Sequence, residues 1–258
     1  MSLNTDQLKG RVCVVTGSVQ SIGFDIAKRF AEYGAKPVLI DYDKEVLNSA
    51  ASLNTHGIVL DVTKRGEVLA CFDKIEKEIG PVFALVNCAG VGEVGPFEEM
   101  NEQKWQRVIN VNLLGTVYSI QGAIRYMRER REGKIINFAS KAGKTGSKLM
   151  TVYGASKGAV VTLTQALAQE YAEYGLNINC ICPDIIKDTG IWDNVTCVNY
   201  ARDYQMSREE VTKMYENKVP LKRFVLKEDI TDMVCFYLIS GNDCTGQSIN
   251  ITGGRFMH

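Results

Sequence analysis

The chain of 258 residues carries 30 basic and 30 acidic side chains, so its formal net charge at neutral pH is zero. This balance offers no basic field for nucleic acid or for an anionic membrane surface. No apolar run reaches the roughly 18 residues of a membrane-spanning helix, and the polar N-terminus has no signal-peptide core. We therefore expect a cytoplasmic protein with one large α/β domain and a substantial buried core.

The cysteines and histidines narrow the chemistry further. The eight cysteines include no C-x-x-C pair, and we interpret them as buried thiols in a reducing compartment. Only two histidines occur, His56 and His258, which excludes a histidine-based hydrolase triad and a multi-histidine zinc site. The sequence therefore predicts no metal centre.

A strand, a glycine-rich turn and a helix are predicted at the start of the chain. Residues 12–15 form a short β-rich apolar run, Thr16-Gly-Ser-Val-Gln-Ser-Ile-Gly23 follows, and residues 24–31 repeat apolar positions at helical spacing. Glycines in such a turn let backbone N–H groups approach a pyrophosphate at the positive end of the helix. The alternative is that Gly17 and Gly23 are only turn formers.

A second predicted strand, 37–40, ends at Asp41, where an acid can accept hydrogen bonds from a ribose diol. The same carboxylate would repel the 2′-phosphate of NADP, and no Arg or Lys in residues 18–20 offsets it. The pattern thus predicts NAD as the cofactor. The alternative interpretation makes Asp41 a cap for the helical run that begins at Lys44.

Strands and helices alternate along the rest of the chain. Further strands are predicted at 57–60, 83–87, 134–138, 177–181 and 248–251. Helical patterns at 66–79, 105–130, 153–174 and 227–240 are long enough to cross between parallel strands. Consecutive right-handed crossovers give a doubly wound sheet, so we expect a single α/β domain over residues 1–258, with a parallel sheet of the Rossmann fold and helices on both faces. Only segment 187–220 differs, being polar and aromatic.

A second motif places a serine, a tyrosine and a lysine close together. Tyr153 and Lys157 lie at i and i+4 of a predicted helix, and Ser140 precedes them by one short loop. The lysine ammonium would favour the ionised phenol and turn Tyr153 into a usable general base. The alternative is an ordinary amphipathic helix in which Tyr and Lys fall four residues apart by chance.

Together these motifs resemble those of the classical short-chain dehydrogenase/reductase family, over nearly the whole chain. The turn carries Ser21 where the family usually has glycine, Asn87-Cys-Ala-Gly90 resembles its Asn-Asn-Ala-Gly element, and Pro183-Asp184 stands at its usual Pro-Gly. Asp61-Val62 resembles the pair that contacts adenine. The cofactor contacts implied by the resemblance are Gly17, Ser21, Ile22, Gly23, Asp41, Asp61, Val62, Asn87, Ala89, Gly90, Tyr153, Lys157 and Pro183.

The resemblance also implies the roles of four catalytic residues, which are Asn112, Ser140, Tyr153 and Lys157. Tyr153 would take the alcohol proton, Ser140 would hydrogen-bond the reacting oxygen, and Asn112 would anchor a water that relays the proton onward from Lys157. An asparagine at a helix irregularity is the alternative for Asn112. The family further implies a homotetramer, with helices 105–130 and 153–174 at one interface, and a variable lid over the substrate at about 187–220.

Two observations point to a polyol substrate. Segment 140–148 and the tail 244–255 look most like sorbitol-6-phosphate 2-dehydrogenases and related hexitol dehydrogenases. Lys141, Lys144 and Lys148 also crowd one loop beside Ser140, as a phosphomonoester would require. We expect NAD-dependent interconversion of sorbitol 6-phosphate and fructose 6-phosphate, with contacts from Ser140, Lys141, Lys148, Tyr153 and Trp192, and with Asn194, Asn199, Tyr200 and Tyr204 as further candidates.

Two alternatives remain open for the function. If the lysines only serve solubility, the substrate is an unphosphorylated polyol such as sorbitol. A nucleotide-binding module without turnover is the third hypothesis, because a fold does not by itself determine a function.

Overall fold

A computed structural model of the protein describes residues 4–257, so His258 lies outside the described residues. Within them, seven parallel strands form one sheet in the order β3-β2-β1-β4-β5-β6-β7. The strands are β1 (Val12–Thr16), β2 (Lys36–Asp41), β3 (His56–Val59), β4 (Val82–Asn87), β5 (Gly133–Phe138), β6 (Leu176–Pro183) and β7 (Ser248–Ile251). The predicted strands and the doubly wound α/β fold are confirmed.

Helices cover both faces of the sheet because the central strands are apolar on both sides. The helices are α1 (Ser21–Glu32), α2 (Val46–Ser52), α3 (Arg65–Glu78), α4 (Glu102–Ile109), α5 (Gly115–Arg130), α6 (Ala142–Thr145), α7 (Thr151–Tyr171), α8 (Cys197–Tyr204), α9 (Arg208–Lys218) and α10 (Lys227–Ile239). One core joins Phe30 of α1 to Leu238 of α10, and a second core on the opposite face joins Phe72 of α3 to Met127 of α5. Each such side chain contributes roughly 1.5–3 kcal/mol on burial.

The prediction of one continuous helix at 105–130 is wrong in one respect. A π-helical turn, Asn110–Leu114, interrupts it between α4 and α5. Two contacts accompany this turn: Gly115 packs so closely that an added Cβ would lie 2.7 Å from Val62 Cγ2, and the Asn112 side chain bonds to the backbone of Val91. Such turns widen a helix by one residue and often occur at functional sites.

Segment 187–220 forms a small unit with a core of its own. It contains the π-helical turn Ile191–Thr196 followed by α8 and α9. Its buried side chains include Trp192, Tyr200 and Tyr215, which pack with Phe224 from the following loop. The segment is therefore held by apolar packing at its centre.

The sheet order places one crevice at the carboxyl ends of β1 and β4. Sequence order reverses there, because β1 pairs with β2 on one side and with β4 on the other. Thr16 lies opposite Asn87 in this pairing, so the turns after the two strands emerge side by side. Ligands of open α/β sheets bind at such a switch point.

Candidate functional site

The glycine-rich turn packs directly on the segment that follows β4. Gly17 has φ +67°, and a Cβ added to it would lie 2.6 Å from Ala89 Cα. A Cβ on Gly23 would lie 2.2 Å from the Gly17 carbonyl oxygen. The backbone N–H of Ala89 also donates to Thr16 Oγ1 at 3.3 Å. Both glycines are thus required by close approach, which is more than turn formation demands.

A cavity of about 920 Å³ opens at this crevice. Nine of the predicted cofactor residues line it, namely Gly17, Ser21, Ile22, Gly23, Asp41, Asp61, Val62, Ala89 and Gly90. Asn87 does not line it, because its Nδ2 donates to Asn137 Oδ1 at 2.9 Å inside the sheet. The cavity size and its small-residue wall fit an extended dinucleotide.

Asp41 sits at the end of β2 on the wall of this cavity and is 6% exposed. Its Oδ2 accepts a hydrogen bond from the Val19 N–H at 3.1 Å, and its Oδ1 accepts one from the Asp43 N–H at 3.2 Å. Helix α2 begins only at Val46, so Asp41 does not cap it. The alternative role of Asp41 as a helix cap is therefore wrong.

Tyr153, Lys157 and Ser140 come together beside the cavity. Tyr153 and Lys157 share helix α7 and are 8% and 4% exposed. Ser140 lies next to Tyr153, and its Oγ donates to the Pro183 carbonyl at 3.5 Å and accepts the Ala142 N–H at 3.2 Å. Lys157 Nζ donates to the Phe138 carbonyl at 2.7 Å and lies 5.9 Å from the centroid of the Tyr153 ring.

The protonation of these groups differs from the sequence-based expectation. Burial raises the pKa of Tyr153 above its ordinary value, and the neighbouring Ser140 hydroxyl opposes this rise. Burial also lowers the pKa of Lys157 to about 8. The expected lowering of the phenol pKa by Lys157 is absent, because burial brings the pKa of the lysine below that of the phenol, so the ammonium loses its charge before Tyr153 ionises. In this state Tyr153 keeps its proton at neutral pH.

Asn112 lies in the π-helical turn and is fully buried. Its Oδ1 accepts the Val91 N–H at 2.8 Å, and its Nδ2 donates to the Val91 carbonyl at 3.0 Å and to Ser156 Oγ at 3.1 Å. A Cβ on Gly90 would lie 3.4 Å from Lys157 Nζ and 3.5 Å from Asn112 Oδ1. Gly90 therefore connects the cavity wall to both side chains, and the water-anchoring role of Asn112 stays a prediction.

The three lysines of loop 140–148 have different surroundings. Lys144 Nζ donates to the Ser248 carbonyl at 2.6 Å on the neighbouring strand, and Lys148 is exposed. Lys141 is half-buried, and its pKa falls mainly because of this burial, with Asp184 opposing the fall. Lys144 is therefore bound to the backbone of β7, and phosphate binding by Lys141 and Lys148 stays a prediction.

Asp184 stands where glycine was expected and is compensated by a cation. Arg255 Nη1 contacts its two carboxylate oxygens at 2.9 and 3.3 Å, and the Asp184 side chain is 9% exposed. The Arg255 guanidinium also lies 5.4 Å from the centroid of the Tyr215 ring in α9. This ion pair ties the end of β6 to the C-terminal tail and to segment 187–220. Pro183, just before Asp184, accepts the Lys141 N–H through its carbonyl at 2.9 Å.

Trp192 lies in the aromatic core of segment 187–220, and its contact with a substrate stays a prediction. Its side chain is 5% exposed and packs edge-on against Tyr215 and Phe224, with ring centroids at 5.7 and 5.1 Å. Tyr200 is likewise buried, and its hydroxyl donates to the Lys148 carbonyl at 3.3 Å. Of the further candidates in this segment, Asn194 lines the cavity.

Sequence reasoning missed one wall of the cavity. Helix α4 contributes Gln103, Gln106 and Arg107, and segment 187–220 contributes Thr189, Gly190, Ile191 and Val195. The family resemblance pointed to segment 187–220 as a lid but not to these individual residues, and the α4 residues form no local motif that could have indicated them. Among residues 4–257, no group of His, Cys, Asp and Glu could hold a metal ion, and no helix is long and apolar enough to cross a membrane.

The residues of this site lie in a part of the chain that matches a known protein family. A sequence profile described as short chain dehydrogenase matches residues 11–197, which span the turn, Asp41, Ser140, Tyr153 and Lys157. The chain belongs to the short-chain dehydrogenase family. It is thus similar to oxidoreductases over the residues that line the cavity and over Ser140, Tyr153 and Lys157.

Several curated relatives of this family match nearly end to end. The 2-(S)-hydroxypropyl-CoM dehydrogenase 3 of Xanthobacter autotrophicus is 34% identical over 258 residues, covering 98% of this chain and 96% of the relative. Galactitol 2-dehydrogenase of Agrobacterium fabrum is 32% identical over 256 residues, covering 97% and 99%. Sorbitol dehydrogenase of Cereibacter sphaeroides is 31% identical over 256 residues, also covering 97% and 99%.

Solved structures of the family superpose closely. NAD⁺-bound xylitol dehydrogenase has a TM-score of 0.91 at 29% identity, covering 96% of this chain and 99% of the other. L-Sorbose reductase from Gluconobacter frateurii, complexed with NADPH and L-sorbose, has a TM-score of 0.89 at 26% identity, covering 98% and 99%. These two neighbours carry different nicotinamide cofactors, so structural similarity alone does not identify the cofactor of this chain as NAD or NADP.

Proposed function

We propose that the protein is an NAD-dependent oxidoreductase that interconverts a secondary alcohol of a polyol and the ketone of a ketose. The observation that carries the proposal is the group of Ser140, buried Tyr153 and buried Lys157, which Gly90 joins to the wall of the cavity that also holds Asp41. Membership of the short-chain dehydrogenase family supports the oxidoreductase class. The galactitol, sorbitol and xylitol dehydrogenases among its relatives support a polyol.

The protein contributes binding, orientation and proton transfer. The turn at Gly17 and Gly23 would hold the pyrophosphate, Asp41 the adenosine ribose, and Lys157 would lie near the nicotinamide end. The nicotinamide, when bound, accepts or gives the hydride. In reduction, neutral Tyr153 donates its proton to the oxygen that becomes the alcohol, while the Ser140 hydroxyl donates a hydrogen bond to that oxygen. In oxidation, Tyr153 must first lose its proton and then takes one from the substrate hydroxyl.

Tyr153→Phe tests the proton transfer. Removing one hydroxyl leaves the packing of α7 intact, so we expect normal folding and a loss of roughly 10²–10⁴-fold in kcat, the usual contribution of a general base. Tyr171→Phe, at the far end of the same helix, serves as the matched control and should keep its rate. The measurement is NADH absorbance with a panel of polyols. A near-normal rate for Tyr153→Phe would show that another group moves the proton.

The oxidation rate should also rise with pH. Burial holds the pKa of Tyr153 above its ordinary value, so the phenolate fraction grows with pH throughout the alkaline range. Because burial lowers the pKa of Lys157 to about 8, this lysine is mostly neutral in the alkaline range, so Lys157→Ala should leave the position of the rising limb nearly unchanged. The pH profiles of the unaltered protein and of Lys157→Ala are measured by the same NADH absorbance assay as the Tyr153→Phe variant.

Cofactor choice is tested at Asp41. Because its carboxylate is fixed by two backbone N–H groups on the cavity wall, it should repel the 2′-phosphate of NADP. We expect kcat/KM to favour NAD, and Asp41→Ser to narrow that preference by roughly tenfold or more. Glu45→Gln removes a charge nearby without touching the cavity wall and should leave the preference unchanged. Equal efficiency with the two cofactors in the unaltered protein would refute the assignment.

The dispersed lysines favour an unphosphorylated polyol. Lys144 is bound to the Ser248 carbonyl and Lys148 faces solvent, so only Lys141 remains beside Ser140. We expect sorbitol, galactitol or xylitol to be oxidised at least as efficiently as sorbitol 6-phosphate. Lys141→Gln should then change the efficiency toward both kinds of substrate equally.

A phosphorylated hexitol is the second candidate, and one observation favours it. Lys141 and Arg255 bring two positive charges against the single carboxylate of Asp184. If this excess charge binds a 6-phosphate, Lys141→Gln should lower efficiency toward sorbitol 6-phosphate alone, by roughly tenfold or more, and added salt should reduce the preference. Oxidation of any polyol in these assays would rule out the third hypothesis, a nucleotide-binding module without turnover.

We also propose a cytoplasmic homotetramer. The eight cysteines are free thiols, which suits a reducing compartment. Closed symmetric assembly is the usual form of soluble oligomers, and α4, α5 and α7 offer the surfaces that the family resemblance assigns to one interface. Sedimentation at micromolar concentration checks the assembly, and a stable monomer would refute it.

A further inference from the structure

Ser21 has a backbone conformation that L-residues rarely adopt. It is the first residue of α1, and its φ is +57°. Among the non-glycine residues with positive φ in the described part of the chain, Ser21 is the one that lines the cavity. Glycine would relieve the steric cost of this conformation, so the presence of serine calls for a compensating interaction.

The Ser21 hydroxyl carries a second local cost. Its Oγ is buried and has no hydrogen-bond partner. Ser18 in the same turn is different, because its hydroxyl contacts the Val15 and Ile40 carbonyls at 2.9 and 3.3 Å. A buried hydroxyl without a partner loses its hydration and gains nothing in return. Strained, unsatisfied residues of this kind cluster where a ligand completes the site.

The surroundings of Ser21 select an anion. Helix α1 has 12 residues, Gln20 at its N-cap makes no side-chain cap bond, and its first turn contains no acidic residue. The N–H groups of this turn and the helix dipole therefore present positive charge to the cavity wall. The Ser21 Oγ is shielded from solvent in the free protein, so rotation about χ1 has to turn it toward the cavity before it can donate to an oxygen anion. A dinucleotide places its pyrophosphate at the N-terminus of this helix.

We propose that the Ser21 hydroxyl donates a hydrogen bond to the pyrophosphate of the bound dinucleotide, and that the left-handed backbone is retained to place it there. The inference rests on the proposed function. It assigns to the side chain a contact that a glycine at this position could not make. The bond is formed only in the complex. The backbone strain and the unpartnered hydroxyl therefore destabilise the free protein, and binding offsets both.

Affinity tests the hydroxyl directly. Ser21→Ala keeps the Cβ and the backbone strain but removes the donor, so we expect the Kd for NAD⁺, measured by calorimetry, to rise roughly tenfold or more. ADP-ribose, which retains the pyrophosphate, should show the same loss, whereas adenosine should bind both proteins equally. An unchanged Kd for NAD⁺, or an equal loss for adenosine, would overturn the proposal.

Stability tests the strain in the absence of ligand. Ser21→Gly should raise the Tm of the free protein by about 2–4 °C, as expected for a domain of this size when such strain is removed. Gln205→Gly is the matched control, because Gln205 has φ +54° but lies outside the cavity wall. It should raise the Tm and leave the Kd for NAD⁺ unchanged. No rise for Ser21→Gly would overturn the assigned strain.

The unaltered protein separates this inference from the proposed function. If it binds NAD⁺ and the Ser21→Ala protein binds it equally well, only the role of the hydroxyl is refuted. If the unaltered protein binds neither NAD⁺ nor NADP⁺ in the calorimeter, the proposed function fails, and the contact fails with it.

Discussion

The approach of the Gly17 turn to the Ala89 backbone is the contact on which the site depends. A side chain at Gly17 would meet Ala89 Cα at 2.6 Å, so the turns after β1 and β4 can lie together only because glycine is there. The parallel pairing of Thr16 with Asn87 brings the two turns to this point. The same approach carries Gly90 toward Lys157 and Asn112, so it links the cavity to the proton-transfer group.

Burial determines the protonation of that group. The same low-polarity surroundings raise the pKa of Tyr153 and lower the pKa of Lys157, so each residue favours its neutral form. A neutral tyrosine is the form that donates a proton, which suits carbonyl reduction. Oxidation needs the phenolate, so the alkaline range and any cation brought close to the ring favour that direction.

Three residues depart from the family pattern, and the structure accommodates each of them differently. Asp184 is neutralised by Arg255, which adds a tie between the end of β6 and the C-terminal tail. Burial raises the pKa of the Cys88 thiol to about 12, so it stays neutral on the cavity wall. Ser21 finds no partner within the described chain, and this difference is what singles it out. A substitution without a local partner is more informative about a ligand than one with a salt bridge.

The sequence by itself determined the seven strands, the doubly wound sheet and the placement of Tyr153 and Lys157 on one helix, because apolar periodicity and short spacings are local properties. The tertiary structure decided what depends on contacts between distant segments. These contacts include the break at Asn112, the burial of Trp192 among aromatic rings and the bond of Lys144 to the β7 backbone. The pKa of Tyr153 likewise followed its burial rather than its spacing to Lys157, since desolvation is set by everything packed around a group.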